Sequence, residues 1–129
     1  MIYLDTSVAL AQLLAQDTKP PATLWKEALV SSRLLEYEIW TRLHARRLAP
    51  SHGEAARLLV SQIGLLELAT PILARALDPF PVPVRTLDAL HLASIDFLRA
   101  RGQAVRLASY DARLSEAANR LGIESYPLT

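Results

Sequence analysis

The sequence predicts an α/β fold with a mainly parallel central sheet that is covered by helices on both faces. Short apolar runs of strand length alternate with longer segments whose apolar residues recur at helical spacing, and this alternation is typical of such folds. The chain has 129 residues, of which 51% are hydrophobic, so it has the size of one domain and can bury a substantial core. We therefore expect a single domain over residues 1–129 and exclude intrinsic disorder.

The first half of the chain begins with an apolar strand at residues 1–4, which ends at the helix-capping residues Asp5-Thr6-Ser7. Helical spacing and proline breaks then predict a helix from Val8 to Gln16, a second helix from Pro21 to Ala28, a weak strand from Leu29 to Ser31, and a helix from Ser32 to Arg47 that Pro50 closes. The pattern Ser51-x-x-Glu54 is a capping box and predicts a helix through about Ile63.

The second half repeats the alternation of strands and helices. Three prolines within residues 78–83 exclude regular structure there. The other segments predict a strand from Leu65 to Ala69, a helix that starts at Thr70-Pro71, a helix from Thr86 to Arg101, a strand from Ala104 to Ser109, a helix from Asp111 to Leu121, and a last strand from Ile123 to Tyr126.

Composition excludes several classes of site and location. The chain has no cysteine, which excludes disulfide scaffolds, thiolate zinc sites and cysteine nucleophiles. No apolar run approaches the roughly 20 residues of a membrane span, so we expect a soluble, cytoplasmic domain with no membrane partner. The formal net charge of +1 gives no electrostatic sign of a nucleic-acid partner.

Three aspartates follow predicted strands or begin predicted helices. Asp5 directly follows the first strand, Asp111 follows the strand from Ala104 to Ser109, and Asp88 lies in the first turn of its helix. Ligand sites of open parallel sheets lie beyond the carboxyl ends of the strands, so these side chains should gather there. An aspartate in this position is often only a helix cap. Asp5 is harder to explain in that way, because an unpaired carboxylate beside the core is costly.

Glu38 is a fourth candidate, beside the apolar stripe formed by Leu34 and Leu35 on the helix from Ser32 to Arg47. Glu36 is the rival acid in that segment, and periodicity separates the two poorly. Four carboxylates in one apolar notch repel one another, and a divalent cation removes that repulsion. An all-oxygen site favours Mg²⁺ or Mn²⁺ over Zn²⁺, and such a site can activate water for hydrolysis of a phosphate ester.

Four short motifs occur in order along the chain, at residues 2–7 (IYLDTS), 32–38 (Ser32-x5-Glu38), 86–93 (TLDALHLA) and 109–114 (SYDARL). Together they resemble the successive motifs of PIN-domain ribonucleases, and most closely those of VapC-type toxins of type II toxin–antitoxin modules. The resemblance covers essentially the whole chain.

The resemblance implies a three-layer α/β/α sandwich and a site for Mg²⁺ or Mn²⁺ whose ligands and catalytic residues are Asp5, Glu38, Asp88 and Asp111. It also implies RNA as the substrate, a homodimer, and a cognate antitoxin protein that blocks the site. By the same reasoning, Thr6 and Ser109 support the metal ligands through hydrogen bonds.

Other polar and aromatic residues are weaker candidates. Arg42, Arg46 and Arg47 share a helix with Glu38 and can contact RNA phosphates, although an exposed basic face explains them equally well. His91 fits a packed helix histidine better than a metal ligand. Trp25 and Trp40 are more typical of core or dimer contacts than of base stacking.

Two alternative functions follow from the same residues. A PIN-like RNA-binding or scaffold protein without catalysis is the main alternative, and the presence of all four acids argues against it. An aspartyl-phosphate enzyme of the haloacid dehalogenase type requires a second aspartate two residues after Asp5, where this chain has Ser7.

Overall fold

The computed structural model describes residues 1–14 and 17–129. Its sheet has the strands β1 (Ile2–Leu4), β2 (Leu29–Ser32), β3 (Gly64–Leu66), β4 (Arg106–Ala108) and β5 (Glu124–Ser125). Neighbouring strands pair in parallel, in the order β3-β2-β1-β4-β5. The sequence therefore predicted the α/β class and the parallel sheet correctly. The strand order reverses at β1, so the switch point lies between β1 and β4, where binding sites of such sheets form.

Helices connect the strands and cover both faces of the sheet. They are α1 (Thr6–Leu13), α2 (Leu34–Ala45), α3 (Ala49–Ser61), α4 (Thr70–Ala76), α5 (Thr86–Ala100) and α6 (Ala112–Arg120), with a 3₁₀ helix at Ala22–Lys26. None of the helices in the described parts of the chain is long and apolar enough to span a membrane.

Two hydrophobic cores lie on opposite faces of the sheet because successive side chains of a strand point to opposite sides. Ile2 and Leu4 of β1 pack in one core with residues of α1, α2 and α3. Tyr3, between them, packs in the other core with residues of α5 and α6. The arrangement is a three-layer α/β/α sandwich, as the resemblance implies.

The boundary between α2 and α3 differs from the prediction. Pro50 does not close a helix: α3 begins at Ala49 and holds this proline in its first turn, where a missing backbone N–H leaves no hydrogen bond unmade. The predicted capping box is therefore wrong, and the Ser51 hydroxyl instead donates to the carbonyl of Leu48 over 3.2 Å. Arg47, with φ of 55°, makes the tight turn between the helices.

Two other helices differ in extent or type. The first begins at Thr6 rather than Val8, because Asp5 caps it directly, and the predicted end at Gln16 lies outside the described residues. The segment predicted as a helix from Pro21 to Ala28 forms the short 3₁₀ helix at Ala22–Lys26.

The proline-rich segment 78–83 is irregular, as predicted. Arg75 of α4 contacts both this segment and helix α5. The guanidinium of Arg75 lies 4.1 Å from the ring centroid of Phe80 and 3.1 Å from Oδ2 of Asp96 on α5. Asp96 also lies 3.5 Å from Arg99. These contacts fix the segment that leads into α5, the helix that carries Asp88.

Candidate active site

A cleft of about 1090 Å³ opens at the carboxyl ends of β1 and β4. All four carboxylates predicted from the sequence line it: Asp5, Glu38, Asp88 and Asp111. They come from four separate parts of the chain, because Asp5 and Asp111 follow β1 and β4 while Glu38 and Asp88 lie on α2 and α5. The fold therefore brings together the residues that the motifs indicate.

Asp5 is the N-cap of α1 and is only 7% exposed. Its Oδ2 accepts hydrogen bonds from the Ser7 hydroxyl over 2.6 Å, the Ser109 hydroxyl over 2.8 Å and the Ser7 backbone N–H over 3.4 Å. All three bonds reach the same oxygen. Oδ1 of Asp5 accepts no hydrogen bond from the described residues.

Asp111 is the corresponding N-cap of α6. Its Oδ1 accepts from the backbone N–H of Arg113 over 2.9 Å and of Leu114 over 3.3 Å. Its own backbone N–H donates over 2.9 Å to the Ser109 hydroxyl, which in turn donates to Asp5. Ser109 thus links two cleft aspartates through hydrogen bonds.

Glu38 and Glu36, which the sequence could not separate, occupy different surroundings. Oε1 of Glu38 accepts from the Thr6 hydroxyl over 2.8 Å and lies 2.7 Å from Nε2 of His91. Glu36 lies outside the cleft lining and pairs with Arg33 over 2.8 Å. The structure therefore places Glu38, and not Glu36, in the cleft with the aspartates, where the Thr6 hydroxyl donates to it.

His91 is the main polar residue whose position the sequence did not predict. It is 1% exposed, and its Nδ1 lies 2.7 Å from the Tyr3 hydroxyl. Burial alone would lower the pKa of His91, but the Tyr3 hydroxyl and the hydrogen bond and negative charge of Glu38 raise this pKa to about 10. Nε2 faces a carboxylate oxygen and therefore donates to Glu38, while Nδ1 and the Tyr3 hydroxyl share the second hydrogen bond. It is a packed helix histidine, as expected, but it also forms part of the cleft wall.

The surroundings of Asp88 in the cleft disfavour its ionised form. Its pKa is raised, first by burial and then by the negative charges of Asp111 and Asp5. The part of this rise that comes from Asp111 and Asp5 reflects the repulsion between ionised carboxylates that share a cleft. A cation among them would relieve this repulsion.

The donor chemistry of the cleft fits a hard divalent cation. Asp5, Glu38 and Asp111 are each anchored through one carboxylate oxygen, so the other oxygen remains available, and oxygen donors suit Mg²⁺ or Mn²⁺. Within residues 1–14 and 17–129, no three acidic or histidine side chains converge closely enough to enclose an ion as they stand. For a cation to bind, the carboxylate side chains therefore have to move closer together.

The basic residues predicted to contact RNA do not share one position. Arg42 lines the cleft, whereas Arg46 and Arg47 are exposed beyond the end of α2 and do not line it. Arg85, the N-cap of α5, also lines the cleft and was not singled out in the sequence.

The aromatic residues also divide between cleft and core. Tyr37 lines the cleft and is 71% exposed. Trp25 and Trp40 are partly buried against the core on the α1–α3 face, and Trp40 also packs against the guanidinium of Arg57. Both tryptophans therefore make core contacts, as the sequence analysis favoured.

Comparison with known proteins identifies the family. The PIN domain family matches residues 2–120 of this chain. Ribonuclease VapC47 of Mycobacterium tuberculosis (strain CDC 1551 / Oshkosh) is 29% identical over 129 residues, which cover 95% of this chain and 93% of that protein. Ribonuclease VapC46 of strain ATCC 25618 / H37Rv is 32% identical over 126 residues, and Ribonuclease VapC35 is 30% identical over 130 residues, each with the same two coverages.

The chain therefore belongs to the PIN-domain family. Within that family its resemblance is to the VapC type, since these relatives match it along nearly their whole length. The resemblance drawn from the four motifs is confirmed.

Proposed function

We propose that this protein is an endoribonuclease that hydrolyses RNA phosphodiester bonds with the aid of Mg²⁺ or Mn²⁺. The observation that carries the proposal is the meeting of four carboxylates from four chain segments in one cleft. Three relatives that match most of the chain are named ribonucleases, which supports RNA as the substrate.

Asp5, Glu38, Asp88 and Asp111 would hold the cation in this proposal. When bound, it would stabilise negative charge on the phosphate and lower the pKa of a water molecule. The protein's own contribution is to hold the oxygens in place. Serine and threonine hydroxyls and backbone N–H groups hold one oxygen each of Asp5, Glu38 and Asp111, which limits the side-chain adjustment that cation binding requires.

RNA binding is proposed for the arginines near the cleft. Arg42 lines the cleft and would contact the RNA backbone there, and Arg46 and Arg47 would contact phosphates further along the strand. Four of the 13 acidic residues and two of the 14 basic residues (Arg42 and Arg85) line the cleft, so the rest of the chain carries 12 basic residues against nine acidic ones. This excess favours a polyanion outside the acidic cleft.

We also propose a toxin role in the cytoplasm, with a homodimer and a cognate antitoxin that blocks the cleft. The support is the likeness to VapC proteins in motifs and sequence. Light scattering on the purified protein tests the dimer. A small neighbouring reading frame whose product co-purifies with this chain and suppresses cleavage would support the antitoxin.

The decisive experiment is cleavage of a labelled single-stranded RNA by the purified protein with Mg²⁺, with Mn²⁺ and with EDTA. The wild type should cut only with a divalent cation, and Asp88→Asn should be inactive. Asp96→Asn is a matched control, because Asp96 lies on the same helix but pairs with Arg75 outside the cleft. Equal cleavage by the wild type and Asp88→Asn would overturn the site assignment and point to a contaminating nuclease.

A further inference from the structure

The imidazole of His91 connects the buried core with the cleft. Nδ1 lies 2.7 Å from the Tyr3 hydroxyl, and Nε2 lies 2.7 Å from Oε1 of Glu38. Tyr3 is fully buried on β1, and its ring meets the imidazole edge-on, with centroids 5.7 Å apart. The imidazole is therefore fixed at both nitrogens and on one edge.

Glu38 is held through a single carboxylate oxygen. The Thr6 hydroxyl and His91 both bind Oε1, so Oε2 has no partner among residues 1–14 and 17–129. The anchors come from α1 and α5, which precede and follow the glutamate's own helix α2 in the chain. A glutamate side chain has three rotatable bonds, and without anchors it would sample many rotamers.

We propose that His91, braced by Tyr3, is a positioning residue that fixes Glu38 for cation binding. The inference rests on the proposed function, since it takes Glu38 as a ligand of the cation. A histidine with a purely structural role would need only a partner within the core, yet the second ring nitrogen of His91 hydrogen-bonds a carboxylate of the cleft. Supporting partners of metal ligands typically change metal affinity by about 10-fold to 100-fold.

The test is the affinity of the full-length protein for Mn²⁺ alone, measured by electron paramagnetic resonance of the free ion without RNA. His91→Leu should weaken Mn²⁺ binding by at least about 10-fold. His91→Gln should retain most of the affinity, because its amide can donate to Glu38 from the position of Nε2. Tyr3→Phe removes only the hydroxyl that hydrogen-bonds Nδ1 of His91, so its Mn²⁺ affinity should lie between those of the wild type and His91→Leu.

Ser94→Ala is the matched control for a structural effect. Ser94 is fully buried on the same helix, where its hydroxyl donates to the carbonyl of Leu90 over 2.8 Å, and it does not contact Glu38. Thermal unfolding of each variant separates loss of fold from loss of affinity. Ser94→Ala should lower stability and leave Mn²⁺ affinity unchanged.

Three outcomes would overturn the proposal. If the wild type and a folded His91→Leu bind Mn²⁺ equally, positioning by His91 is wrong while the proposed metal site stands. If the wild type does not bind Mn²⁺, the metal site fails and this inference fails with it. If His91→Leu does not fold, the Mn²⁺ affinities of Tyr3→Phe and His91→Gln decide. The proposed hydrogen-bond chain is contradicted if Tyr3→Phe binds Mn²⁺ as the wild type does and a folded His91→Gln has lost its Mn²⁺ affinity.

Discussion

The hydroxyl of Ser109 lies 2.8 Å from Oδ2 of Asp5, although 104 residues separate them in the chain. The same hydroxyl accepts the backbone N–H of Asp111. One small side chain at the end of β4 therefore sets the positions of two cleft carboxylates, one near each end of the chain.

Replacing Ser109 with alanine should reduce both stability and cleavage. The substitution leaves the half-buried N–H of Asp111 without its partner, which costs about 1–3 kcal/mol of unfolding free energy. Cleavage should fall by about 10-fold or more, since a hydrogen-bond partner of two proposed metal ligands is lost. Urea unfolding and RNA cleavage measure the two effects. Ser125→Ala, at an exposed hydroxyl outside the cleft, should change neither, and wild-type values for Ser109→Ala would contradict the linking role.

Asp88→Asn should stabilise the protein in the absence of metal. Burial and the charges of Asp111 and Asp5 raise the pKa of Asp88, so the carboxylate is less favourable in the folded than in the unfolded chain. This penalty is absent at low pH, where the carboxyl is neutral in both states, and it develops as the pH rises through the raised pKa. Because the group is partly exposed and screened, the gain at neutral pH should stay below about 1 kcal/mol.

Denaturant unfolding in EDTA at neutral and acidic pH tests whether Asp88→Asn raises the unfolding free energy, and at which pH. The advantage of Asp88→Asn should be present at neutral pH and vanish in acid. A variant that is less stable than the wild type at neutral pH, without metal, would show that Asp88 makes a stabilising contact that outweighs the repulsion.

Divalent cations should stabilise the wild-type protein against unfolding. A ligand that binds only the folded state at 100 times its dissociation constant adds about 2.7 kcal/mol to the unfolding free energy. Thermal unfolding with increasing Mn²⁺ should show a rising midpoint, and Asp5→Asn should lose most of the rise. Potassium chloride of equal ionic strength is the control, and an equal rise with that salt would indicate general screening instead of a site.

Arg42→Ala should weaken RNA binding more than Arg46→Ala, although the two arginines lie near the same end of α2. Arg42 lines the cleft and Arg46 does not. The Arg42 variant should show weaker binding and a slope of log affinity against log salt that is shallower by about 1. Fluorescence anisotropy of labelled RNA in EDTA measures both without cleavage. Equal losses in the two variants would indicate a broad basic face that continues past the cleft.

Asp5 and Asp111 could be predicted from the sequence because each directly follows an apolar run that forms a strand. The carboxyl ends of parallel strands share one edge of a sheet, so local pattern is enough to bring these two together. Asp88 was placed by its motif and by the proline-rich segment that precedes its helix.

The choice between Glu38 and Glu36 could not be made from helical periodicity. Both lie on α2, and Glu38 differs from Glu36 through contacts with other helices. Thr6 of α1 and His91 of α5 hydrogen-bond Glu38, whereas Glu36 pairs with Arg33, the N-cap of α2. The contacts of His91 could not be predicted from the sequence either, since its partners Tyr3 and Glu38 lie 88 and 53 residues away. Local pattern does not encode contacts between helices on separate layers.

Pro50 shows a different limit of sequence reasoning. Proline is common both just after a helix and in the first turn of one. The chain uses the second option, and the turn at Arg47 lets α3 start only a few residues after α2 ends.

The central place of β1 has a consequence for synthesis of the protein on the ribosome. Of the five strands of the sheet, β1 is synthesised first, yet it pairs with β4, the fourth strand in chain order. Until residue 108 has emerged, β1 remains an apolar edge strand, and the four cleft carboxylates cannot assemble. A nascent chain that stops before β4 therefore has no complete cleft, and the proposed cleavage activity requires synthesis beyond Asp111.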